Sequence, residues 1–250
     1  MARCTVACFL TLLQFIAISW PAVSQDLPEA SAELPLSVDL RSEFKQLGLI
    51  QREQRGRGTC SVFATVEAVE FARAKQTGDG VAMSVEFANW AANEATARGD
   101  DGDFFHNIIK GIERFGLCPE SAMPYEKEFS RDTKPSAEAA GQAAEFAKQN
   151  PLEFHWIKDW KRKPGLDNAD VRKVKTVLAS GFPVSAGSYH SVLFVGYEDD
   201  SQIPGGGRFF ISDSNLRETE ITYEGAKERF CDLFWVTAKS SDEKASDDTK

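Results

Sequence analysis

The feature that most constrains this chain is the segment Gln54-Arg55-Gly56-Arg57-Gly58-Thr59-Cys60-Ser61-Val62-Phe63-Ala64, a polar, glycine-bearing loop that runs into an apolar helical pattern with a cysteine at the junction. Downstream, Val62, Val66, Val69 and Ala72 recur at three- and four-residue steps, and Glu67, Glu70 and Arg73 take the polar positions between them. That period predicts a helix that starts at Cys60 and ends near Gly78 and Gly80. A thiol at a helix N-terminus feels unpaired backbone N–H groups and the positive end of the helix dipole, which lower its pKa and favour the thiolate. Cys60 is then pre-activated; the alternative is a small hydrophobe buried in an apolar helix.

With 250 residues, 42% of them hydrophobic, the chain can bury one good-sized core, as a single domain or two closely packed lobes. Residues 1–24 read as a secretory signal peptide: Arg3 is the only charge, an apolar run follows from Thr5 to Trp20, and Pro21-Ala22-Val23-Ser24 supplies small residues at cleavage spacing. A membrane anchor is the competing reading, but the run is short for a span and ends in proline. No stable membrane insertion is expected once the signal is removed. Its loss takes away one positive charge and moves the formal net charge from −9 to −10. So acidic a chain repels phosphate, and its one basic cluster, Lys158 to Lys163, is short and interrupted by Asp159 and Trp160, which argues against nucleic acid. Neither a Cys-x-x-Cys nor a histidine pair at ligand spacing is present, so no metal or other cofactor is expected.

Residues 25–33 form a short polar lead. Ser84 should cap a second helix; Arg98 to Phe105 is a turn-rich loop before the helical pattern Ile108, Ile109, Ile112, Phe115. A linker at 130–134 and an alanine-rich helix from Ser136 to Gln149 follow; Asp167 or Asn168 then caps a helix that stops at Gly181. Strands are expected at Phe154–Asp159, Ser191–Tyr197, Arg208–Ser212 and Asp232–Val236, with a turn at Pro204-Gly205-Gly206-Gly207. Residues 240–250 are polar and acidic, lack an apolar anchor and should be disordered.

Glutamine six residues before Cys60, Gly58 two before it and Phe63 three after it resemble the active segment of papain-like cysteine peptidases, as a divergent member. Met83-Ser84-Val85-Glu86-Phe87, the Gly102 loop, and Gly116…Glu120 with Met123-Pro124-Tyr125 are similar to further segments of that family, so the resemblance runs from about Leu34 to Val236. It implies an α+β, two-lobe fold, with a helical N-terminal lobe at about 50–130 and an antiparallel, β-barrel-like C-terminal lobe at about 150–239. It also implies Cys60 as nucleophile, Gln54 as side-chain donor to the oxyanion beside the Cys60 N–H, and Gly58, Gly102 and Asp103 as substrate-binding positions. Asp103 stands where a second glycine is commoner and is expected to bring negative charge to the cleft. Arg57 replaces a cysteine that usually forms a disulfide, and Ser61 replaces a tryptophan. Leu34 to Arg41 resembles the start of a mature enzyme, and residues 25–33 are too few for the family's helical pro-segment, so none is expected.

Of three histidines, His106 and His155 read as ordinary surface or packing residues, while His190, followed by an apolar strand ending in Val195-Gly196-Tyr197, resembles the family's general base. The orienting residue, usually asparagine, aligns with Asp213, and Asn215 becomes the alternative orienter if the strand register slips by two. Between Ser185 and His190 the chain is shorter than the family's, which bears on the pocket wall. Cys4 and Cys8 leave with the signal; if Cys60 is the nucleophile, Cys118 and Cys231 are the only pair left for a disulfide.

The function these readings imply is that of a secreted or extracytoplasmic, monomeric cysteine endopeptidase acting on peptides or proteins through a Cys-His-Asp acyl-enzyme. A non-catalytic binding protein on the same scaffold is one alternative. Another Cys-His-Asp acyl-transfer enzyme, an amidase or transglutaminase-like protein, is the second, and Gln54 at its spacing argues against it.

Overall fold

The computed structural model describes residues 33–163 and 165–239. The expected signal peptide, nearly all of the polar lead and the acidic tail at 240–250 lie outside the described residues.

The chain opens with β1 (Ser37–Asp39) and α1 (Arg41–Gln46), and continues through four helices, α2 (Cys60–Thr77), α3 (Val85–Thr96), α4 (Phe105–Phe115) and α5 (Ala137–Gln149). Then come β2 (Leu152–Lys158), α6 (Asn168–Ala179), β3 (Val184–Gly187), β4 (Val192–Asp199), β5 (Gly207–Ser212), β6 (Glu220–Thr222), α7 (Tyr223–Arg229) and β7 (Asp232–Ala238). The strands form one antiparallel sheet in the order β2-β7-β3-β4-β5-β6, and β1 pairs with β4. A helical first part followed by a strand-rich second part is the α+β division that the sequence order predicts.

The local signals act as their chemistry requires. Ser84 Oγ accepts from Phe87 N–H at 2.9 Å and starts α3. Asp167 and Asp170 make a reciprocal capping box on α6. Gly78 takes the left-handed conformation that ends α2. Short elements went unseen in the sequence: α1, β6 and α7 are three to seven residues long, less than two helical turns or a few alternations.

Both faces of the sheet are covered. Leu193 and Val195 of β4, with Phe234 and Val236 of β7, point into a core shared with α2, α3, α4 and α5. Val192 and Phe194, with Leu233 and Trp235, point the other way, under α6 and α7. Side chains alternate along a strand, so covering both faces turns β4 and β7 into continuous apolar runs.

Helix α2 departs from the amphipathic expectation. It lies between the helical layer and the sheet and is buried on nearly every side, Glu67 and Glu70 included. Glu67 Oε2 accepts from Ser212 Oγ at 3.0 Å, and Glu70 pairs with Arg52 and accepts Met83 N–H. Burial raises Glu67 to about 7 against the opposing Ser212 hydrogen bond. Nearer the start of the helix, the buried Ser185 hydroxyl of β3 donates to the Ala64 carbonyl at 2.9 Å.

Cys118 and Cys231 do not form the expected disulfide; both are free thiols. Cys118 is buried in the helical core, whereas Cys231 sits at the foot of β7 with its N–H bonded to Gly187 O. The two belong to different layers, and elimination among cysteines carries no information about distance.

Candidate active site

Three separate segments converge at the start of α2. Cys60 occupies the first helical position, and the preceding Thr59 makes no side-chain cap. Its hydroxyl is instead hydrogen-bonded to Tyr125 Oη at 2.6 Å, which leaves the first-turn N–H groups to act on Cys60. Facing it, His190 and Ser191 lead into β4, and Ser191 N–H donates to Cys60 Sγ at 3.4 Å. Asp213 follows β5 and accepts from His190 Nε2 at 2.6 Å. The other ring nitrogen, Nδ1, is thereby left for the thiol.

Burial opposes ionisation of Cys60, but hydrogen bonds from His190 and the Ser191 N–H outweigh it and bring the thiol below its ordinary value. His190 is raised, first by its bond to Cys60 and, against desolvation, by Asp213. The two shifts favour a thiolate–imidazolium pair. By contrast, burial raises Cys118 to about 11 and also lifts Cys231.

Asp213 is fully buried. Its Oδ1 accepts from His190 and from Asn215 N–H (2.8 Å), and Oδ2 accepts from Arg217 N–H (3.1 Å) and Glu218 N–H (3.0 Å). Burial works against its ionisation, yet these bonds together hold its pKa below the usual carboxylate range. Asn215 lies beside the ring, its Nδ2 3.4 Å from His190 Nε2 and 3.5 Å from Nδ1.

Gln54 is buried next to this group. Ser214 Oγ donates to its Oε1 at 2.6 Å, and its Nε2 donates to Arg57 O at 2.7 Å, which leaves one amide hydrogen uncommitted. Gly58 and Gly102 lie in touching loops, for a Cβ on Gly102 would stand 2.1 Å from Gly58 O. Gly102 also has a φ of 89°, a conformation suited to glycine.

Asp103 corrects one expectation. Its side chain is only 2% exposed and turns toward α4, where Oδ1 accepts from Phe104 N–H and Asn107 Nδ2, so it brings no free carboxylate to the surface. Its carbonyl accepts from Ser61 Oγ at 2.6 Å. His106 stacks on Phe104, and His155 stacks on Trp235 and bonds Thr237, away from this group. The sequence reading missed Asn89 and Asn93. One turn apart on α3, they hold the loop through Gly102 N–H and the Asp100 backbone; their i, i+4 spacing on a helix was the available signal.

Among the described residues no cluster of metal-ligating side chains occurs, and no helix is long and apolar enough to cross a membrane. A helix-borne thiol facing an imidazole from a neighbouring sheet is the architecture of a two-lobed thiol hydrolase. The sequence model of the papain family cysteine protease matches residues 34–214, and the chain belongs to that family and is a cysteine-type peptidase. No curated protein matches the sequence. Among solved structures, xylellain, a cysteine protease from Xylella fastidiosa, is similar with a TM-score of 0.62 and 19% identity, over 83% of this chain and 87% of that one. Digestive procathepsin L 3 from Tenebrio molitor larval midgut gives 0.60 and 17% over 86% and 74%.

Proposed function

We propose that this peptidase is a secreted, monomeric endopeptidase that cleaves peptide bonds through a Cys60 thioester, with His190 as proton carrier, Asp213 as its orienter and Gln54 as oxyanion donor. The observation that carries the reading is the convergence of the Cys60 thiol, reached by Ser191 N–H at 3.4 Å, with the adjacent His190, whose ring is bonded to the buried Asp213. Export rests on the apolar run from Thr5 to Trp20 and the small residues after it.

In this mechanism the Cys60 thiolate attacks the scissile carbonyl carbon; the C–S bond forms and the π pair moves to oxygen. The resulting oxyanion takes hydrogen bonds from the Cys60 backbone N–H and the free Gln54 amide hydrogen. Collapse breaks the C–N bond, and the leaving amine takes the proton of His190 Nδ1. The neutral imidazole then removes a proton from water, whose oxygen attacks the thioester and releases acid and thiolate. Asp213 keeps the ring oriented and stays ionised.

Labelling tests the nucleophile. Iodoacetamide at pH 6 should modify Cys60 alone of the three described thiols, with peptide mapping as readout, because Cys60 is lowered while Cys118 and Cys231 are raised. Modification of Cys231 first would remove Cys60 from this role. Gln54→Ala should cost on the order of 10²–10³ in kcat, as the loss of one oxyanion donor does elsewhere. Its hydrolysis of a peptide ester at the wild-type rate would place the donor on another side chain.

A further inference from the structure

Arg57 is only 6% exposed although it lies in a loop. All five of its N–H donors are engaged. Nε and one terminal nitrogen hold Asp101, at 3.1 Å and 2.8 Å to Oδ1. The other terminal nitrogen holds Glu86 and the Glu126 carbonyl, the latter at 3.0 Å, and the fifth N–H reaches Glu86 Oε1 at 3.4 Å. The guanidinium lies over the Tyr125 ring, 4.5 Å from its centroid. A group with five satisfied donors, two carboxylates and a stacked ring is fixed in space, and only the planar fork of arginine spans such a set.

Two loops meet through this group. Asp101 also accepts Gly58 N–H at 3.2 Å, so one carboxylate grips both the side chain of residue 57 and the backbone of residue 58. The Asp101 carbonyl would be 2.5 Å from a Cβ on Gly58, so the two backbones approach closely at a point only glycine allows. The backbone carbonyl of Arg57, in turn, is the acceptor of the Gln54 amide. A displacement of Arg57 therefore moves the Gln54 amide as well as the Gly58–Gly102 contact.

The geometry points to Arg57 as a positioning residue for the peptidase reaction: clamped between Asp101 and Glu86, it sets the Gln54 amide and locks the Gln54–Cys60 loop against the Asp101–Asp103 loop. It touches neither substrate nor the reacting atoms. The inference rests on the assignment of Gln54 to the oxyanion. An ionic clamp also differs from a covalent one in that thiol reductants do not release it.

The decisive variants are Asp101→Asn, which leaves the Glu86 pair to keep Arg57 buried, and Arg57→Ala and Arg57→Lys. Steady-state hydrolysis of a fluorogenic peptide by the exported protein gives kcat and KM, and iodoacetamide gives the Cys60 alkylation rate, which needs neither oxyanion donor nor substrate loop. Misplacing such groups by about 1 Å costs on the order of 10² in rate. Arg57→Ala should therefore lose about that factor, mainly in kcat, Asp101→Asn about tenfold, and Arg57→Lys an intermediate amount. The Cys60 alkylation rate and its pH inflection should stay within about twofold of wild type in all three. Near-wild-type kcat in a folded Asp101→Asn or Arg57→Ala overturns the clamp, and so does a parallel loss of alkylation, which marks general collapse. If Arg57→Ala does not fold, Asp101→Asn alone decides. A wild-type protein that neither cleaves peptide nor alkylates at Cys60 at pH 6 would instead overturn the reading of the site itself.

Discussion

Replacing His190 with alanine should lower kcat/KM for peptide hydrolysis on the order of 10⁴-fold or more, the scale set by loss of one member of a nucleophile–base unit. The same change should raise the pH at which Cys60 becomes reactive. Cys60 is held low because bonds from His190 and Ser191 outweigh burial; without the imidazole, burial is opposed by backbone N–H groups alone and the inflection moves upward. In the wild type, reactivity toward iodoacetamide begins at the lowered thiol value. Hydrolysis is confined to the window between that value and the raised value of His190, above which the imidazolium loses its proton. The folded population should change little, since His190 is part-exposed and lies in a loop rather than in the core. A bell-shaped profile that survives in His190→Ala, or an unmoved thiol inflection, would show that the pair does not exist.

The second large effect concerns Asp213, where stability and activity should separate. Asp213→Ala takes the acceptor away from three part-buried backbone N–H bonds, which water satisfies only in part, and frees the ring. It should lose both activity and several degrees of Tm. Asp213→Asn is subtler. Its one carbonyl oxygen can serve either the His190 and Asn215 side or the Arg217 and Glu218 side, and its NH₂ must face the donors on the other. Measurable activity should remain, at a stability cost of about 2–3 kcal/mol by denaturant melts. The carboxylate is depressed in the folded state, so its stabilising share is complete above the unfolded value of about 3.9 and is lost as pH falls through the folded one. The difference between wild type and Asp213→Asn should therefore shrink in acid. Full activity in Asp213→Ala, with collapse in Asn215→Ala, would transfer the orienting role to Asn215.

Segments with a long period and a chemical end signal were legible in the sequence. The start of α2 at Cys60, the Ser84 and Asp167 caps, and the double-faced strands β4 and β7 all carry their reasons locally. What escaped depends on partners distant in sequence. Glu67 and Glu70 look like the wet side of a helix until the sheet arrives to cover them. Asp103 looks like a cleft charge until α4 begins beside it. Cys118 and Cys231 look like a pair only because counting ignores space. The convergence of residues 54, 60, 190 and 213 was suggested by family resemblance, and nothing in period or composition would have joined them. The Arg57 network is a meeting of loops, and loops have no period from which to infer a neighbour.

The hydrogen bond from Ser185 to the Ala64 carbonyl has a wider meaning. Ala64 is about one helical turn beyond Cys60, and Ser185 lies five residues before His190, so this bond ties together the two segments that carry thiol and imidazole. The two lobes are therefore not a pair of jaws that open and shut on the chemistry. They are bolted at a seam about one helical turn from the thiol, and the ionisation of Cys60 becomes a gauge of that seam. Any loosening of α2 on the sheet, by heat, denaturant or a distant core substitution, should register as an upward drift of the thiol while the helices and strands are still intact.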